Sequence, residues 1–269
     1  MHLDAATLQL LALALHYCAK AYDYDSGDDG MRVSGLGGWL RVVANRKTSA
    51  LALVSLCQDY LIVAFQGSKE RRDWLINLTA FPKAYAGVRA HWGFASGHDS
   101  IWPQIHAIVR ANPGKRVLVT GHSQGGAYAE LSCLFLHDHP SDVHMLTFGK
   151  PNVFLRSAMD PDSPSFPYLK TQLSVVSGSD LVTRLPRFLF GPEPHQTMLY
   201  LANNGQDHML RRGDRVGDFS AKEYIVRDWR HSDSVSDHLL NMTYQQRIER
   251  LLARRSHPIT PGECRHDQS

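Results

Sequence analysis

The chain has 269 residues, 43% of them hydrophobic and 20% charged. That balance is ordinary for a globular protein large enough for a well-buried sheet, and nothing in the sequence marks a second domain. The net charge of +3 comes from scattered Lys and Arg without a basic stripe, which argues against nucleic-acid binding. No run approaches the roughly 18 to 20 apolar residues of a membrane span.

In chain order, the first expected element is an amphipathic helix over residues 5 to 20. Its apolar run Leu8 to Ala14 follows Asp4, lacks a preceding Lys or Arg and is interrupted by Gln9, so it reads poorly as a signal peptide. The compartment expected from this is cytoplasmic, with secretion lacking a cleavable leader as the alternative. After a polar turn from Asp23 to Asp29, Trp39 to Ala44, Ala50 to Leu56 and Tyr60 to Phe65 read as strands, the last almost wholly apolar and therefore central. Gln66-Gly67-Ser68 ends that strand, and Lys69 to Leu78 is a short segment charged at one end and apolar at the other. Ile101 to Val109 reads as a helix, and Arg116 to Thr120, Val143 to Phe148 and Leu173 to Val176 as strands. Asp160 to Pro167 is a loop, and Leu240, Tyr244, Ile248, Leu251 and Leu252 form one stripe of a C-terminal helix. Strands alternating with helices imply a mostly parallel central sheet flanked by helices, an α/β architecture in one domain spanning residues 1 to 269.

The most informative stretch is Gly121-His122-Ser123-Gln124-Gly125. It stands between an apolar strand and the helix-like run Ala127 to Leu136, as a serine nucleophile on a sharp strand-to-helix turn requires. Neighbours two residues away on either side come too close for side chains, and both are glycine. A serine hydroxyl is a weak nucleophile at neutral pH, so it needs a histidine base, and the histidine needs a carboxylate to fix its tautomer. Acid and base follow such an elbow in that chain order. Asp180 comes directly after a strand and is preferred to Asp160 and Asp162, which lie in a loop. His238, just before the C-terminal helix, is preferred to His195. The oxyanion formed in acyl transfer needs two donors, here the Gln124 backbone N–H and the turn at Ser68. Val182, Leu185 and Leu239 flank the acid and the base and are the expected acyl-chain contacts. The four cysteines and fifteen histidines show no metal-ligand grouping, so no metal is expected. Cys133 reads as a small buried hydrophobe, and a Cys18–Cys264 pairing stays open.

Seven blocks in order, Phe65 to Ser68, Asp73 to Leu78, His91 to Phe94, Gly121 to Ala127, Thr147 to Pro151, Asp180 to Pro186 and Asp237-His238, resemble the signature blocks of the class 3, fungal-type triacylglycerol lipases. The resemblance implies an α/β-hydrolase fold with a short helical lid. It also implies Ser123, Asp180 and His238 as a catalytic triad, Ser68 in the oxyanion hole and Asn77 orienting Ser68. The segment holding Trp74, Leu75 and Leu78 would be the lid, a cover whose apolar side chains are costly to expose until an oily surface takes them up. Implied with it are a lipid or ester substrate met at an oil–water interface, no cofactor, and a monomer. Phospholipase A1 and short-chain carboxylesterase activity are the alternatives on the same machinery, and a non-catalytic lipase-like scaffold is the alternative of another class. The sequence departs from the family pattern at Gln66, where arginine is common, and after Pro151, where Asn152-Val153-Phe154 lacks the usual glycine.

Overall fold

A computed structural model describes residues 3–34, 39–69, 81–155, 166–178, 180–186, 190–191, 197–210, 214–216, 219–220 and 238–254. The main sheet is built from β1 (Arg32–Ser34), β2 (Trp39–Asn45), β3 (Ala50–Cys57), β4 (Tyr60–Phe65), β7 (Arg116–His122), β8 (Val143–Phe148), β10 (Leu169–Ser177), β12 (Thr197–Leu201) and β13 (Asp207–Leu210). They lie in the order β1-β2-β3-β4-β7-β8-β10-β12-β13. From β4 through β7, β8 and β10 to β12 every pairing is parallel. Both flanks are antiparallel, β1 to β4 on one side and β12–β13 on the other.

The apolar runs of the central strands are explained by burial on both faces. In β4, Ile62 and Ala64 point into one core while Leu61, Val63 and Phe65 point into the other. Strand β7 divides likewise, Leu118 to one side and Val117 and Val119 to the opposite one. The first core is closed by helix α1 (Ala5–Ala21), started by Asp4, whose Oδ1 accepts the Thr7 N–H at 2.7 Å. Its stripe Leu8, Leu11, Leu15 and Cys18 packs on the sheet together with Leu240, Tyr244, Ile248, Leu251 and Leu252. Those last residues belong to a π-helical turn (Leu240–Tyr244) and the helix α5 (Gln245–Arg254) that continues it. The second core is covered by α2 (Trp92–Asp99), α3 (Trp102–Arg110) and α4 (Gln124–Ser132).

The expected strands and helices that fall on described residues are present, several with shifted ends. The helix after the elbow begins at Gln124 and ends at Ser132 rather than running from Ala127 to Leu136. The strand expected at Leu173 to Val176 runs from Leu169 to Ser177, because its outer half pairs with β8 even though its residues are polar. A second small sheet has no counterpart in the sequence reading. It consists of β5 (Pro82–Tyr85), β6 (Val88–His91), β9 (Phe154–Leu155) and β11 (Phe190–Gly191), in the order β11-β9-β6-β5. Strands so short carry too few residues to establish an alternation. A two-stranded ribbon, β14 (Arg215–Val216) with β15 (Phe219–Ser220), completes the described strands.

Cys18 and Cys133 are buried thiols that form no disulfide. Cys18 therefore does not pair with Cys264. It faces Thr120 Oγ1 at 3.1 Å, and burial pushes its pKa up to about 12. Cys57 is disulfide-bonded.

The second core also holds His98, whose Nδ1 meets Tyr85 OH at 2.7 Å and whose Nε2 meets Ser132 Oγ at 2.9 Å. Burial holds its pKa down at about 3, and that of His91 at about 4. Below about pH 6.5 an unfolded chain protonates these rings while the folded chain does not, so stability present at neutral pH is lost as pH falls towards 4 and 3. The denaturant midpoint is expected to fall steadily from about pH 7 to about pH 4.5, and less steeply in His98→Phe. A midpoint independent of pH across that window would contradict the buried neutral state.

Candidate active site

Ser123 stands between β7 and α4 at φ 57° and ψ −126°, a backbone that L-residues avoid. The turn is tight enough to dictate its neighbours. A Cβ on Gly121 would lie 2.2 Å from the Gly125 carbonyl oxygen, and one on Gly125 would lie 2.1 Å from that of Phe65. The glycines thus let the elbow close on itself and seat against the end of β4. The Ser123 N–H donates to the Phe148 carbonyl at 2.9 Å, fixing the elbow to the next strand as well.

His238 Nε2 lies 2.8 Å from Ser123 Oγ, and His238 Nδ1 lies 3.0 and 2.9 Å from the two carboxylate oxygens of Asp180. A carboxylate accepts, so Nδ1 carries the proton and Nε2 presents its lone pair to the serine hydroxyl. All three side chains are buried, which strengthens each of these contacts relative to water. Asp180 is held by more than the histidine. Its Oδ1 accepts the Val182 N–H at 2.9 Å, and its Oδ2 accepts from the Tyr244 hydroxyl at 2.5 Å. Tyr244 OH in turn accepts the Ser177 N–H at 3.1 Å. An imidazole so oriented can take the serine proton as the oxygen attacks a carbonyl carbon, then return it to the leaving alcohol.

Sequence reasoning placed Tyr244 only in an apolar stripe. Its ring is fully buried in the first core, and no sequence pattern distinguishes a tyrosine whose hydroxyl reaches a carboxylate from one that merely fills space. His122 was also missed as a supporting residue. Its Nε2 lies 2.8 Å from the His238 carbonyl oxygen, which can only accept, so Nε2 donates. Its Nδ1 lies 2.9 Å from Tyr22 OH, and its ring packs 4.7 Å from that of His238. The end of α1 is thereby connected through His122 to the backbone of His238.

The turn after β4 runs directly over the serine. A Cβ on Gly67 would meet Tyr22 OH at 2.3 Å, the His122 carbonyl oxygen at 2.7 Å and Ser123 Cβ at 3.3 Å. Gln66, one of the departures noted above, donates its side-chain amide to the Ala21 and Tyr24 carbonyls at 2.5 and 2.8 Å. It secures the Gly67-Ser68 turn to the end of α1. Gln124 is the first residue of α4. Its N–H therefore has no acceptor one turn back and is available at the positive end of the helix. Of the expected acyl contacts, Val182 is buried and Leu185 and Leu239 are half-buried. The lid residues Trp74, Leu75 and Leu78, with Asn77, lie outside the described residues, as do His195, Asp160 and Asp162. No grouping of His, Cys, Asp or Glu that could hold a metal ion occurs among the described residues.

Comparison with known proteins places this geometry in context. The family model described as "Lipase (class 3)" matches residues 62–190. A lipase of Rhizomucor miehei is 30% identical over 160 residues, covering 54% of this chain and 42% of that protein. The secreted mono- and diacylglycerol lipase 1 of Fusarium solani is 31% identical over 161 residues, covering 55% of this chain and 46% of that protein. The chain thus matches less than half the length of these two relatives. The solved structure of Rhizomucor miehei triacylglyceride lipase superposes with a TM-score of 0.62 at 19% identity, covering 87% of this chain and 93% of that one. That likeness is one of fold.

Removing the Tyr244 hydroxyl leaves the Asp180 carboxylate one donor short in a buried setting. A hydrogen bond to a charged group is worth about 1.5 kcal/mol or more, so Tyr244→Phe is expected to lower kcat about tenfold with KM within about twofold. Steady-state ester hydrolysis measures it, and an unchanged kcat would remove the hydroxyl from the support of the acid.

Proposed function

We propose that this chain, a member of the class 3 lipase family of the α/β-hydrolase superfamily, is a serine carboxylic ester hydrolase acting on acylglycerols, triacylglycerols foremost. The observation that carries the reading is the 2.8 Å approach of His238 Nε2 to the Oγ of a serine held at φ 57°. In this reading Ser123 Oγ attacks the ester carbonyl as His238 takes its proton, with Asp180 holding the imidazole and stabilising the imidazolium. The oxyanion is met by the Gln124 N–H and the Ser68 turn, a kind of contact worth about 3 to 4 kcal/mol per donor. His238 then protonates the departing alcohol, leaving Ser123 acylated. Water, activated by the same histidine, releases the fatty acid and restores the serine.

Several features favour a lipid substrate met at a surface. Phe81 and Trp92 are 70% and 58% exposed, and Leu181, beside Asp180, is 39% exposed. The segment that carries Trp92 is tied to Leu185 by backbone hydrogen bonds, His91 N–H to Val153 O and Asn152 N–H to Leu185 O. Large apolar side chains exposed in this way suit an oily interface. Val182, Leu185 and Leu239 would contact the acyl chain, each buried CH₂ contributing up to ~0.8 kcal/mol, so medium chains should be preferred to acetyl. A triad drawn wholly from one chain is consistent with a monomer and a single domain. The scaffold alternative is disfavoured because nucleophile, acid and base are all kept and all joined. No described helix is long and apolar enough to cross a membrane. On compartment, the disulfide at Cys57 fits an oxidising environment better than the cytoplasm expected from the N-terminal residues.

The test is fatty-acid release from emulsified triacylglycerol, from phospholipid vesicles and from a dissolved short-chain ester, with Ser123→Ala as the blank. Release from the emulsion by the wild type alone is expected. Release confined to the vesicles would move the substrate to phospholipids, release confined to the soluble ester would make the chain an esterase, and none at all would sink the hydrolase reading.

A further inference from the structure

Helix α4, which begins beside the nucleophile, carries Glu130 at 1% exposure. A carboxylate there forfeits its hydration and must find compensation. Its partner is Lys150, with Nζ 2.7 Å from Oε1 and side-chain exposures of 4% for the lysine and 1% for the glutamate. Compensation is incomplete, since Oε2 of Glu130 has no hydrogen-bond partner among the described residues. Burial raises the Glu130 pKa against the pull of Lys150. Pairs buried in this way are commonly no more stabilising than well-packed apolar side chains of similar volume. Stability is therefore a poor reason for the pair, and its location suggests a better one.

Lys150 directly follows Gly149, which stands at φ 57° at the end of β8. A Cβ on Gly149 would lie 2.7 Å from Asp180 Oδ2, 3.0 Å from Tyr244 OH and 3.1 Å from His238 Nδ1. The backbone of Gly149 is thus the floor on which the acid, its tyrosine and the base all rest. Three residues on from Gly149, the Asn152 N–H donates to the Leu185 carbonyl at 2.8 Å, tying the same segment to the loop that follows Asp180. The stem of Lys150 packs on the nucleophile helix itself, so that a Cβ on Gly126 would meet Lys150 Cβ at 3.0 Å. Lys150 is where the support of Asp180 and His238 meets the helix that carries Ser123, and its ion pair with Glu130 spans that joint.

We propose that Glu130 and Lys150 are positioning residues, whose ion pair locks the nucleophile helix to the segment 149–152 and so sets the distance between Ser123 Oγ and His238 Nε2. The proposal rests on the ester-hydrolase reading above. It assigns a catalytic consequence to two residues that touch neither substrate nor triad.

The experiment replaces both charges in the full chain, Glu130→Leu with Lys150→Met, and records kcat and KM on a dissolved ester, the melting temperature, and the rate at which a fluorophosphonate labels Ser123. The expected result is a fall of about tenfold or more in kcat with KM within about twofold, a melting temperature equal to or above wild type, and labelling slowed in parallel. A folded double variant with kcat and labelling within about twofold of wild type overturns the proposal, because a merely structural pair would move the melting temperature alone. If the double variant does not fold, Glu130→Asp, which withdraws the carboxylate by one methylene, is judged by the same two criteria. Labelling requires an activated Ser123 but no ester turnover. A wild type that labels yet cleaves no ester therefore sinks the hydrolase reading, while the ratio of labelling rates still decides the role of the pair.

Discussion

The rest of the structure depends on holding one serine in a backbone conformation it would not choose. At φ 57° Ser123 is strained, and the strain persists only because its surroundings over-determine it. Gly121 and Gly125 let the turn fold back against Phe65, the Phe148 carbonyl takes the serine N–H, and α4 runs on from Gln124 into a packed core. The reward is an Oγ lifted clear of the sheet at the carboxyl ends of parallel strands, where side chains from neighbouring connections can converge on it.

That convergence is a property of the parallel centre of the sheet. The segments after β4, β7, β8 and β10 all leave the same edge, and they carry the Gly67-Ser68 turn, Ser123, Gly149 and Asp180 respectively. His238 arrives from the far end of the chain, just before α5. It is fixed twice, by Asp180 through its ring and by His122 through its carbonyl. Tyr22, at the end of α1, reaches His122, and Gln66 reaches the carbonyls beside it, so the first helix supports both His238 and the Gly67-Ser68 turn. Buried polar groups arranged this way are stabilising only when nearly all are satisfied. The Oε2 of Glu130, which has no hydrogen-bond partner among the described residues, is therefore conspicuous next to them.

Much of this was legible in the sequence. The apolar run Tyr60 to Phe65 identified a central strand, since a strand buried on both faces leaves a nearly unbroken signal, and Val143 to Phe148 was legible as a strand. The glycine pair around Ser123 identified the elbow because steric exclusion acts over five residues and needs no tertiary context. Asp180 and His238 were reached by chain order and placement after a strand and before a helix. The second sheet escaped because strands such as Phe154–Leu155 and Phe190–Gly191 are two residues long. Whether Cys18 pairs with Cys264 stayed open in the sequence because a position within a helix stripe does not reveal that Cys18 faces Thr120 across a closed core.

By itself the sequence determined the strand-and-helix alternation and the glycine-flanked turn at Ser123, consequences of hydrophobic periodicity and local sterics, and it offered Asp180 and His238 as partners of Ser123 by chain order and placement. Only the tertiary structure decided which polar groups hold that site in place. Tyr244 on Asp180, His122 on the backbone of His238, and Glu130 paired with Lys150 join residues 64, 116 and 20 positions apart. A contact between residues so distant leaves no local trace. It exists because the sheet brings the ends of its parallel strands to one edge, and because a buried donor or acceptor must find a partner wherever the fold has placed one.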